Sequence, residues 1–246
     1  MIRACLIALL LAGALPSLAQ DYGREKRWSD EVVPGLVVGD PVWLEGPGAH
    51  KFLGLYAEAG TARGTVLLVH GIGVHPDHGV IGSLRTSLAD AGYNTLSIQM
   101  PVLAADAAPK GYAALFPDAV VRIRSAAAWL AAKGGGPLVL ASHSLGSAMS
   151  GAYYQDTPGS PFAAWVCMGL GGAYPSMRNV RGPVLDIFGE HDLPSVLRAD
   201  WRRRMAVDSI PGSRQLRIAG ADHFYAGREK QLAAGIDAFI REQVLK

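Results

Sequence analysis

Cysteine is almost missing from this chain. Only Cys5 and Cys167 occur in 246 residues, and Cys5 falls in a segment expected to be removed, so no internal disulfide can form. Cys167 stands in the apolar run Ala163-Ala164-Trp165-Val166-Cys167-Met168 and reads as a small buried hydrophobe rather than a reactive thiol. Charge is also sparse. It makes up 18% of residues with a formal net charge of +2, and there is neither a basic block nor an acidic tail. That pattern gives no electrostatic case for a nucleic-acid partner. Beyond the N-terminus, no apolar run approaches the roughly 20 residues that a membrane-spanning helix needs. No Gly-x-Gly-x-x-Gly or Walker-type run occurs, so no nucleotide cofactor is indicated. Internal repeats and low-complexity tracts are missing as well.

What is present is apolar. Half of the residues are hydrophobic, enough for a substantial core. The first nineteen residues read as a secretory signal peptide: Arg3, the apolar run Ala4 to Leu15, Pro16, then small residues at Ser17 and Ala19. Cleavage is expected after Ala19, which places the product in the periplasm or outside the cell with no membrane anchor. Residues 20–39 are polar and are expected to form an irregular lead-in, and residues 40–246 a single domain.

Within that domain, strand-like and helix-like segments alternate. Val42 to Glu45 and His50 to Glu58 suggest a hairpin across Gly46-Pro47-Gly48. Strands are expected at Thr65–Val69, Thr95–Met100, Leu138–Ala141, Ala163–Met168, Val184–Phe188 and Gln215–Ile218. Helices are expected at His78–Ala91, Pro117–Lys133, Leu145–Tyr154, Leu193–Ser209 and Glu229–Val244. The alternation implies an α/β protein: a mostly parallel central sheet of about eight strands, covered by helices on both faces and ending in an antiparallel edge. In such sheets the chemistry sits at the carboxyl ends of the strands.

The sharpest motif obeys that rule. Ser142-His143-Ser144-Leu145-Gly146 directly follows one strand and directly precedes a helix. A serine on such a tight turn is held out at the top of the sheet, and the next N–H points into the same space. Small residues are needed two positions to either side. Gly146 meets the need, and Ser142 stands where the motif more often has glycine. Ser144 alone could also be read as a helix N-cap.

With these residues the chain resembles the α/β-hydrolase superfamily from about residue 40 onward. His70-Gly71-Ile72-Gly73-Val74-His75-Pro76-Asp77 and Gln99-Met100-Pro101-Val102-Leu103 are similar to a poorly characterised exported bacterial branch of unknown substrate. The resemblance implies the order nucleophile, acid, histidine, which falls on Ser144, Asp192 and His223. Asp186 and Glu190 are rival acids, and Asp222 is expected to shape a turn. The resemblance also implies an oxyanion hole from the backbone N–H groups of Ile72 and Leu145. His70, Gly71, His75, His143 and Tyr174 are pocket candidates, with segments 101–116 and 169–180 nearby. Because 169–180 is short, no large lid is expected. His70, His75, Asp77 and His78 form a local cluster of metal-ligand residue types, but no metal is expected, since His70 belongs to the oxyanion motif and Asp77 suits a cap. The implied activity is a serine hydrolase acting through an acyl-enzyme on an ester, thioester or amide of a small or lipid-like acyl substrate. The alternative is a non-catalytic binding or envelope-assembly protein on the same fold.

Overall fold

Runs of five to seven aliphatic residues are too short for buried helices but fit strands covered on both faces. They form the centre of the computed structural model, which describes residues 20–246; the expected leader lies outside these residues. The strands are β1 (Asp40–Glu45), β2 (Lys51–Ala57), β3 (Thr65–Val69), β4 (Asn94–Ile98), β5 (Leu138–His143), β6 (Phe162–Met168), β7 (Val184–His191) and β8 (Arg214–Asp222). The α-helices are α1 (Tyr22–Val32), α2 (Gly79–Asp90), α3 (Phe116–Lys133), α4 (Leu145–Asp156), α5 (Pro194–Leu197), α6 (Asp200–Asp208) and α7 (Glu229–Gln243).

All eight strands join one sheet in the order β1-β2-β4-β3-β5-β6-β7-β8. The β1–β2 and β2–β4 pairs are antiparallel, and every other pair is parallel. Side chains alternate across the central strands. Leu67, Val69, Leu140, Trp165 and Cys167 face a core shared with Ile123 and Met149 of α3 and α4. Val66, Leu68, Val139, Val166 and Leu185 face the other core, shared with Leu84 of α2 and with Ile236 and Phe239 of α7. Each fully buried Val or Leu contributes about 1.5–3 kcal/mol.

Three expectations need correction. The lead-in 20–39 is not irregular throughout, because it carries α1. The Asp21 side chain caps α1 by accepting from the Arg24 N–H at 2.8 Å. The helix is polar in pattern but is pinned by a long-range buried ion pair, Glu25 to Arg122, at 3.0 Å. The single helix expected over 193–209 is broken into α5 and α6, with Ala199 at φ −110°, ψ 5° between them. Segment 101–116 does not wall the cleft. It packs inward through Val102, Leu103, Tyr112 and Leu115 and meets α1, with the Asp21 N–H donating to the Val102 carbonyl at 2.7 Å.

No helical insertion separates β6 from β7. Among the described residues, no helix is long and apolar enough to cross a membrane.

Candidate active site

Strand β3 pairs with β4 on one side and β5 on the other, so the chain order reverses there. The loop leaving β3 and the turn leaving β5 therefore open onto one crevice, the usual place for chemistry in a parallel sheet. Ser144 lies in that turn with φ 56° and ψ −122°, a conformation a residue with a Cβ rarely adopts. It is held there by its N–H, which donates to the Met168 carbonyl at 2.8 Å, and by its carbonyl, which accepts from Ser147 N–H at 2.9 Å. Gly146 is obligatory in this turn, since a Cβ there would lie 2.3 Å from the His70 carbonyl oxygen. The Ser142 hydroxyl accepts from the buried Trp165 indole N–H at 2.9 Å, which gives this serine a structural task of its own.

His223 follows β8 and reaches back over the crevice. Its Nε2 lies 2.9 Å from Ser144 Oγ, and its Nδ1 lies 2.6 Å from Asp192 Oδ1. Asp192 follows β7 and also accepts from the Gly189 N–H at 3.0 Å and the Leu193 N–H at 2.8 Å. Burial alone would raise its pKa, but these three hydrogen bonds outweigh burial and hold the carboxyl below its ordinary range. The rival acids are engaged elsewhere. Asp186 is fully buried and accepts from Arg203 (3.0 and 3.1 Å), Gln215 (2.7 Å) and Tyr174 (3.0 Å). Glu190 pairs with Arg217 at 3.0 Å. Asp222 accepts from the N–H groups of Phe224 and Ala226, shaping the turn that presents His223.

Two further histidines support this frame. His143 donates from Nε2 to the His223 carbonyl at 2.9 Å, and burial pulls its pKa down to about 4. His70 accepts the Met100 N–H at Nε2 (2.9 Å), which assigns its proton to Nδ1, 2.8 Å from the Gly71 carbonyl. Burial lowers its pKa to about 3, so it is a neutral donor at ordinary pH. The peptide it holds is the one whose N–H belongs to Ile72. Ile72 and Leu145 both border a recess of about 210 Å³ beside Ser144 and His223. No backbone carbonyl among the described residues accepts either N–H.

Ser144 also borders a larger cleft of about 410 Å³. His70, Gly71 and His143 line it, as expected from the sequence. His75 and Tyr174 do not, contrary to the expectation from the sequence. His75 is turned between Trp28 and His78, with ring centroids 5.9 and 5.4 Å away. Tyr174 packs on Trp165 at 5.2 Å and spends its hydroxyl on Asp186; Trp165 is itself wholly buried. Asp77 binds Arg85 at 2.7 Å and caps no helix. Among the described residues, no group of three or more His, Cys, Asp or Glu is placed to hold a metal.

Sequence reasoning missed the apolar walls: Val80 and Ile81 of α2, Leu193 and Phe224. A signal did exist for the last two. Each immediately follows a residue of the polar triplet, and both are exposed despite their apolar side chains. The cleft's charged group is Glu229, at the start of α7.

A family model described as a protein of unknown function (DUF3530) matches residues 39–122. No curated protein matches the chain. Among solved structures, an α/β serine hydrolase without a lid from Xanthomonas campestris is 16% identical with a TM-score of 0.63, covering 84% of this chain and 95% of its own. A putative α/β hydrolase of unknown function from Agrobacterium tumefaciens is 14% identical with a TM-score of 0.64, covering 82% and 94%. An esterase from Pyrococcus furiosus is 13% identical with a TM-score of 0.63, covering 84% and 98%. The chain has the α/β-hydrolase fold.

Proposed function

We propose that this protein is a serine hydrolase in which Ser144 is the nucleophile, His223 its general base and Asp192 the group that orients the imidazole. The observation that carries the reading is the unbroken hydrogen-bonded line from Ser144 Oγ through His223 to Asp192, with the serine on a strained turn at the sheet's switch point. A serine hydroxyl is a weak nucleophile at neutral pH and needs a neutral imidazole to take its proton. Asp192 fixes the tautomer with the proton on Nδ1, which leaves Nε2 free to act, and stabilises the imidazolium that forms.

The reaction is two-step acyl transfer. Ser144 Oγ adds to the substrate carbonyl while its proton passes to His223 Nε2. The N–H groups of Ile72 and Leu145 receive the developing oxyanion, each worth about 3–4 kcal/mol of barrier in comparable sites. His223 then gives its proton to the leaving group, and an acyl-enzyme remains on Ser144. Water, giving a proton to His223, attacks the acyl carbon; the bond from that carbon to Ser144 Oγ then breaks, His223 returns the proton to Oγ, and the acid leaves. Esters, thioesters and amides all satisfy this scheme, and the apolar 410 Å³ cleft suits a neutral acyl or alcohol moiety of a small or lipid-like substrate.

The test is labelling of residues 20–246 with a fluorophosphonate, read by mass spectrometry. The adduct is expected on Ser144 and is expected to vanish in Ser144→Ala and His223→Ala. A folded protein that takes no label would point instead to a non-catalytic binding role. We further propose that the chain is exported to the periplasm or beyond. N-terminal sequencing of the protein from its native host should begin at Gln20.

A further inference from the structure

The N-terminal helix α1 makes two separate connections to the loop that leaves β3. In the first, the Arg24 guanidinium forks. One nitrogen donates to the Gly73 carbonyl and the other to the Leu103 carbonyl, both at 2.9 Å. Its planar group lies over the Trp28 ring at 4.5 Å, and Trp28 in turn flanks His75 of the same loop. Such a fork is pre-organised, so it fixes two carbonyls with little loss of side-chain freedom. The second connection runs through buried groups. Glu25 binds Arg122 of α3 at 3.0 and 3.1 Å, and Arg122 donates to the Gln99 carbonyl at 2.8 Å. The Gln99 side-chain amide lies 3.2 Å from His70 Nε2 and donates to the Met100 carbonyl at 2.8 Å. His70 holds the Gly71 carbonyl, and the Gly71–Ile72 peptide is planar, so fixing its C=O fixes the direction of the Ile72 N–H.

The two connections therefore end on either side of Ile72, at His70 and at Gly73. The first connection lies outside the cleft, and the second reaches it only at its end, at His70 and Gly71. The segment between them is short, exposed at Ile72, and has no regular secondary structure of its own.

We propose that α1 is an intramolecular brace for the oxyanion-forming loop, with Arg24 and Glu25 as positioning residues that aim the Ile72 N–H. The catalytic part of this inference rests on the serine-hydrolase reading; the mechanical part, that α1 restrains the loop, does not. In this view residues distant from the cleft set the transition-state geometry, and a misplacement on the order of 1 Å there costs about 100-fold in rate.

The experiment compares the 20–246 chain with Arg24→Ala, Arg24→Lys and Lys26→Ala. Lys26 is exposed on the same helix and, among the described residues, pairs only with Asp30. Hydrogen exchange of peptides spanning 70–74 is read alongside hydrolysis of 4-nitrophenyl butyrate and the melting temperature. Arg24→Ala should speed exchange in 70–74 and lower kcat at least about 10-fold, with KM changed less than about 2-fold. Arg24→Lys, which can reach one carbonyl but cannot fork, should recover part of both effects. Lys26→Ala should match the parent. Unchanged exchange in Arg24→Ala overturns the brace. So does faster exchange with unaltered kcat, or a fall in kcat that merely follows the unfolded fraction at the assay temperature. If the parent is inert and takes no fluorophosphonate, the hydrolase reading fails on its own, and the exchange result still decides whether α1 restrains the loop.

Discussion

The indole N–H of Trp165 donates to the hydroxyl of Ser142 at 2.9 Å, and both side chains are fully buried. A position where glycine is the more usual residue thus carries a hydroxyl because a neighbouring strand offers a donor that would otherwise be unpaired. Ser142→Gly should cost about 1–3 kcal/mol in denaturant unfolding, the penalty of an orphaned buried donor. In a double-mutant cycle with Trp165→Phe the two changes should couple by about 1 kcal/mol or more, because the second removes the orphan. Additive losses would show that the contact contributes nothing to stability.

The two buried aspartates, Asp186 within β7 and Asp192 just after it, should separate cleanly. Asp192→Asn is expected to lower kcat about 10³-fold or more, through loss of the correct imidazole tautomer, with a modest change in melting temperature. Asp186→Asn should do the reverse. It leaves the buried Arg203 charge without its partner, a loss of about 3–5 kcal/mol, while the folded fraction keeps its turnover per active site. Active-site titration beside calorimetry measures both quantities.

Acid should weaken the fold through two buried histidines. Burial lowers the pKa of His143 from 6.5 to about 4, and that of His70 from 6.5 to about 3. In the unfolded chain both take up protons near 6.5, so between that pH and the folded values the unfolded state binds more protons. Their contribution is complete above about pH 6.5 and is lost as pH falls toward 4 and then 3. Asp192, whose folded pKa is depressed below 3.8, adds a loss of the same sign at still lower pH. Melting temperatures recorded from pH 7.5 to 4.5 should decline. His143→Gln, which keeps a donor for the His223 carbonyl, should flatten the decline.

Cleft substitutions should act on binding rather than on chemistry. Phe224→Ala removes an exposed apolar wall of the 410 Å³ cleft; its ring lies edge-on to His223 at 5.3 Å but makes no hydrogen bond to Ser144, His223 or Asp192. KM should rise several-fold for a 4-nitrophenyl octanoate and hardly change for the acetate, with kcat near the parent value for both. Equal effects on the two esters would place the acyl chain elsewhere.

Much of this was readable before any coordinates. β3 and β5 announce themselves as short aliphatic runs, and the turn after β5 is marked by small residues on both sides of Ser144. The order Ser144, Asp192, His223 is what the resemblance to α/β-hydrolases implies once it is laid on the ends of the strands. What stayed hidden depends on contacts between distant parts of the chain. The helical state of α1 is fixed by Glu25 meeting Arg122, 97 positions away, and no local periodicity encodes that pair. Tyr174 could be placed near the cleft by its position after β6, but only its hydroxyl donating to the buried Asp186 carboxylate reveals that it turns inward. His75 was drawn into the pocket by its neighbours in sequence, whereas Trp28 of α1 supplies the surface it packs against. The break between α5 and α6 escaped notice because Arg198 and Ala199 are both good helix formers.

The direct passage from β6 to β7 has a steric corollary. Among the described residues no helix inserted between β6 and β7 covers Ser144, so the overall bulk of a molecule approaching the mouth is not gauged there. Only the moiety that enters the recesses beside the serine is gauged, by their depth and width. If the proposed reaction holds, an acyl group pendant on a polymer, a glycan or a lipid aggregate would meet the same filter as one on a free small molecule.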